Sequence, residues 1–126
     1  MHAVDTNVLV RLIVRDDPDQ TQKAERFVRK GAWISHLVLV EFSWMLSSAY
    51  GVKPAQVLES ISMLLNHQSL VIQEADVVEN AIKRCTENKG IEFSDCLILE
   101  VARKAVHLPV ATFDRKLGRQ PGARAL

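Results

Sequence analysis

The chain has 126 residues, 48% of them hydrophobic and 25% charged, with 5 Gly and 4 Pro. That is one domain's worth of protein, expected over residues 1–126, able to bury a continuous apolar core and leaving no room for a disordered tract. The formal net charge of +1 excludes a global basic field for nucleic acid, so any such binding has to come from local patches and bound ions. Cys85 and Cys96 make no disulfide framework and are read as buried, reduced thiols. The N-terminal apolar stretch has no basic region before it and is interrupted by Asp5 and Arg11, which argues against a signal peptide. No uncharged run approaches the roughly 18 apolar residues of a membrane span. A cytoplasmic protein without a membrane partner is expected.

In chain order, Ala3 and Val4 open a short strand, and the pattern changes at Asp5, Thr6 and Asn7 to helical spacing through Val8, Leu9, Leu12 and Ile13. After the polar break Asp16, Asp17, Pro18, Asp19, a second helix carries Ala24, Phe27 and Val28 and stops at Gly31. Ala32 to Ser35 reads as a strand, followed by a helix from about Leu37 to Tyr50 that is apolar nearly all round and ends at Gly51. Pro54 starts a further helix, tolerated in its first turn, which runs through Val57, Ile61 and Leu64 towards Asn66. Leu70 to Ile72 is a strand; Asp76 opens a helix closed by Asn88 and Gly90; another spans about Phe93 to Ala105. Val110 to Thr112 is the fourth strand, and Gly122 to Leu126 a short edge strand. Strands separated by helices, without hairpin signals, predict a parallel sheet covered by helices on both faces. Ligands in such folds bind beyond the carboxyl ends of the strands, the position of Asp5 and Asp114.

Four acids stand apart from the rest. Asp5 and Asp114 follow apolar strands, while Glu41 and Asp95 interrupt apolar helix faces, where an ionised group is costly unless paired or metal-bound. Glu41 falls four residues after Leu37 and three before Trp44, inside an apolar stripe, and is expected to be at least partly buried. Asp95 shares its predicted inward face with Ile98, Leu99 and Ala102, with Glu100, Arg103 and Lys104 on the solvent side. Each has a plainer reading alone. Asp5, Ser94 or Asp95 can cap a helix, worth about 1 kcal/mol; Glu41 can pair with a buried arginine, and Asp114 can be a turn residue. Together they form the oxygen-only set that a hard cation such as Mg2+ or Mn2+ takes. His2, His36, His67 and His107 show no ligand spacing, which disfavours zinc.

Asp5, Thr6 and Asn7 after the first strand, Glu41 in the third helix, Phe93, Ser94, Asp95, and Thr112, Phe113, Asp114 together resemble the PIN-domain family, in order and spacing across nearly the whole chain. The size and compact layout are similar to the VapC-type toxins of toxin–antitoxin pairs. The resemblance implies a three-layer α/β/α fold with a central parallel sheet of four or five strands, and acids matching Asp5, Glu41, Asp95 and Asp114 that bind one or two divalent metals. Thr6, Asn7, Ser94 and Thr112 match or flank the polar supporting positions. Lys116 stands where many relatives carry a further acid, so a second metal is expected to be weakly held.

The expected activity is endonucleolytic hydrolysis of RNA, with metal activating water and neutralising the phosphate. Arg11, Arg15, Arg115, Lys116, Arg119 and Arg124 are candidates to hold flanking phosphates, each also readable as a solvated surface charge. A cognate antitoxin and a homodimer are the expected protein partners; the dimer is suggested by the apolar helix from Leu37 to Tyr50, which could equally be buried within one chain. A housekeeping PIN-fold nuclease acting on RNA or DNA is the nearer alternative. A haloacid-dehalogenase-type phosphatase expects a second acid where Asn7 stands, and a receiver-like signalling module leaves Glu41 without a task.

Overall fold

Short runs of small or branched apolar residues form the strands, and their period of two separates a buried from an outward face. In the computed structural model, which describes every residue from Met1 to Leu126, the chain falls into two compact units, Met1–Ala75 and Asp76–Leu126. The first holds three parallel strands, β1 (His2–Ala3), β2 (Ala32–Ile34) and β3 (Leu70–Ile72), in the order β1-β2-β3. Ala32 pairs with both His2 and Leu70, and Ile34 with Ile72. Ala32, Ile34, Leu70 and Ile72 are buried, whereas Trp33 and Val71, paired in register, are exposed.

Parallel neighbours require long crossovers, supplied here by helix pairs. Between β1 and β2 run α1 (Thr6–Val14) and α2 (Pro18–Val28); between β2 and β3 run α3 (His36–Tyr50) and α4 (Pro54–Leu65). Three of these four start on the capping residues expected from their chemistry. Asp5 accepts from the Val8 N–H, Asp17 from Gln20 with Pro18 beginning the helix, and Ser35 from Val38. The end of α3 is set by Gly51, whose φ of 61° suits a residue without Cβ, while the Val52 N–H reaches back to the Leu46 carbonyl. Leu9, Val10, Val28, Leu39, Phe42, Leu46, Ile61 and Leu64 are the fully buried helical residues of this unit.

The second unit contains α5 (Ala75–Glu87, starting one residue before the unit), α6 (Phe93–Lys104), β4 (Val110–Thr112), α7 (Arg115–Gly118) and β5 (Ala123–Ala125). β4 and β5 pair in parallel, with Thr112 opposite Ala125. The closing edge strand anticipated at Gly122 to Leu126 is thus present. The single turn α7 has no counterpart in the sequence reading, because four residues are too few to show a helical period. The α/β/α class with parallel strands holds, its five strands pairing as ladders of three and two. Cys85 and Cys96 are buried and unbridged.

Candidate metal centre

The junction of β1 and α1 places the first acid. Asp5 lies just past the strand, exposed, with one carboxylate oxygen engaged as the helix cap. The next residue turns inward: Thr6 is buried, and its Oγ1 donates to Glu41 Oε2 at 2.8 Å. A hydroxyl on α1 therefore fixes one oxygen of an acid on α3, far along the chain. Asn7 is exposed beside them.

Glu41 itself corrects an expectation. It is exposed, not partly buried, and it has no arginine partner. The stripe to which it was assigned faces outward, with Leu37 at 69% and Trp44 at 54% exposure, while Leu39, Phe42, Ser43 and Leu46 turn into the core. A helix apolar on every side offers two candidate inward faces, and periodicity cannot choose between them.

In the second unit, α6 presents Asp95 in its first turn, half-buried, with Ser94 buried beside it. Burial pushes the Asp95 carboxyl above its ordinary value, and the negative charges of Glu92 and then Asp114 push it in the same direction. Those repulsions bring Asp95 and Asp114 into one electrostatic neighbourhood and add Glu92, which sequence reasoning did not single out. Its signal was available: Glu92 occupies the N-cap position of α6, three residues before Asp95. Asp114 is exposed and caps α7, accepting from the Leu117 N–H at 2.9 Å, while its own N–H donates to Thr112 Oγ1 at 3.0 Å. Thr112 thus supports the backbone that carries Asp114.

Two further expectations about α6 are corrected. Ile98, assigned to the inward face with Asp95, is exposed. Glu100, assigned to solvent, is only 5% exposed; Arg103 Nε donates to its Oε2 at 2.6 Å, and Arg84 NH2 lies 3.8 Å from the same oxygen. A buried acid satisfied by two guanidinium groups is stable where an unpaired one would not be.

Among the basic candidates, Arg11 is paired with Asp16 at 2.8 Å and Arg15 with Glu25. Arg115, Lys116, Arg119 and Arg124, all in the second unit, are exposed. The histidines gather nowhere: His36 Nε2 bonds the Gln73 carbonyl, His67 Nδ1 accepts from the Ser69 N–H, and His2 stacks on Phe27.

The donor chemistry fits a hard divalent cation. The acids offer oxygen only, and the negative charges of Glu92 and Asp114 repel that of Asp95. As placed, no three His, Cys, Asp or Glu side chains converge into a complete coordination sphere. Compared with known families, the chain matches the model of the PIN domain over residues 3–123. No curated protein and no solved structure matches it.

Proposed function

The chain belongs to the PIN-domain family, whose members are generally nucleases, and from that premise we propose that it is a metal-dependent endoribonuclease, the toxin of a toxin–antitoxin pair. The observation that carries this reading is the match to the PIN-domain model over residues 3–123; half-buried Asp95, whose proton affinity is raised first by burial and then by the charges of Glu92 and Asp114, supports it. Like charges close together favour a bound cation that neutralises them.

Asp5, Glu41, Asp95 and Asp114 are the residues proposed to hold Mg2+ or Mn2+. The bound ion supplies charge to offset the phosphate and acidity to the attacking water. Thr6 orients Glu41 by holding Oε2 and leaving Oε1 available, and Thr112 steadies the turn from which Asp114 projects. Asn7 and Ser94 are the remaining polar supports. Arg115, Lys116, Arg119 and Arg124 are proposed to hold RNA phosphates; Arg11 and Arg15, already satisfied by acids, contribute less. Lys116, in place of a further acid, favours one firmly held ion.

A complex with an antitoxin in the cytoplasm is the proposed setting; Phe27 on α2, stacked by His2 yet 47% exposed, is a side chain for an apolar antitoxin tail to cover. An arginine from that tail would compete with metal for the same oxygens, so its affinity should fall as magnesium rises.

The test is cleavage of single-stranded RNA by metal-stripped protein, followed by titration of Mg2+ or Mn2+, with single-stranded DNA in parallel. Activity should return with metal and be lost in Asp95→Asn, which keeps the side chain's shape. Cleavage that persists in chelator, at a level that survives repurification, sinks the metal-dependent reading. Preference for DNA would instead support a DNA nuclease on the same fold.

A further inference from the structure

Cys85 lies in the last turn of α5 and Cys96 in the first turn of α6, with their sulfurs 3.0 Å apart. Both are buried. The Cys85 thiol has one other partner, the Ile91 carbonyl at 3.2 Å, and no third ligating side chain stands nearby to make the pair a metal site. A disulfide needs its sulfurs about 2.0 Å apart, so closure requires them to approach by roughly 1 Å. The segment between the two cysteines, residues 86–95, includes Glu92, Ser94 and Asp95.

We infer that Cys85 and Cys96 form an oxidisable dithiol, a site of intramolecular disulfide modification that ties the end of α5 to the start of α6. A peroxide is the class of oxidant that fits, being small enough to enter through slight exposure. Cys85 keeps 6% exposure and Cys96 none, so access places the first step on Cys85, although its hydrogen bond to Cys96 and its burial push its thiol up while Cys96 is held down. Its sulfur attacks one peroxide oxygen, the O–O bond breaks, and sulfenic acid and one water form. The Cys96 sulfur then attacks the Cys85 sulfur, the S–O bond breaks, and the hydroxyl leaves with the Cys96 proton as a second water. Two thiols have lost two electrons to the peroxide, and a dithiol reductant reverses the bond.

This inference stands apart from the nuclease reading, and its test needs no substrate. The full-length protein is treated with hydrogen peroxide, denatured, alkylated and digested without reductant. Expected are the loss of both alkylatable thiols, a linked Cys85–Cys96 peptide and a monomeric mass. The thermal midpoint should rise on oxidation and return with dithiothreitol, because the cross-link removes freedom from the unfolded chain. Cys85→Ala and Cys96→Ala should each lose the linked peptide and the reversible shift. Thiols that remain alkylatable, sulfinic acid without a linked peptide, or bonds only between chains would overturn it; the wild-type peptide map decides even if a variant folds poorly.

Discussion

Asp95 is held in tension by its own surroundings. Its carboxyl has a higher proton affinity in the fold than in the unfolded chain, through burial first and then through Glu92 and Asp114. The folded state therefore binds more protons as pH passes upward from the ordinary carboxylate value of 3.8, and stability falls over that interval. At neutral pH the ionised group is a liability in metal-free protein. Asp95→Asn should raise the thermal midpoint there, and the gain should vanish below the ordinary carboxylate value, where Asp95 is protonated in both states. A pH series of melting curves on the two proteins checks it; a gain that persists at low pH would point to packing instead. Glu100 has the opposite logic. Buried between Arg84 and Arg103, it neutralises guanidinium groups that lose their partner if it is cut back. Glu100→Ala should lose about 2 kcal/mol in urea titration, less than the scale for breaking a fully buried pair because Arg103 is half exposed.

At the scale of elements, the two strand-to-helix junctions use an aspartate twice over. Asp5 and Asp114 each cap the helix that follows them, so removing either side chain mixes a structural loss with a functional one. Asparagine separates the two, since its side-chain oxygen caps about as well as aspartate's. Asp114→Asn should stay within a few tenths of a kcal/mol of the parent stability, whereas Asp114→Ala should lose about 1 kcal/mol. If Asp114 is also a metal ligand, both should weaken magnesium binding in calorimetry. Equal stability of the two variants would show that the Leu117 N–H finds another acceptor, and the cap argument fails.

For the whole molecule, the question of partners centres on α3. Leu37 and Trp44 are largely exposed, and Tyr50 is exposed at the helix end, so the helix is not buried wholly within its own chain. Such a surplus is supplied with a cover in a symmetric dimer, where the same patch meets itself. Sedimentation at micromolar concentration should give a dimer, and Trp44→Glu should shift it to monomer by placing two charges in an apolar contact. A monomeric parent protein under those conditions would remove the dimer from the reading. No helix is long and apolar enough to cross a membrane, so the exposed residues of α3 are not part of a helical span.

The alternation of short apolar runs with helical periods determined the α/β class, and local chemistry determined the caps at Asp5, Asp17 and Ser35. Those features depend on neighbours a few residues apart, which is what a sequence displays. The candidate acids after β1 and β4 were legible for the same reason, since a strand's end is marked by the change of period that follows it. Which face of α3 turns inward was decided only by tertiary packing, because its apolar residues surround the helix and leave the choice to what lies against it; Glu41 emerged exposed and held by Thr6. Glu100 was misjudged because its Arg84 partner lies on another helix, and the repulsion of Asp95 by Asp114 was not legible because the two are far apart along the chain and meet only through space. Charge–charge energies depend on distance through the folded molecule, and no spacing along the chain contains that distance.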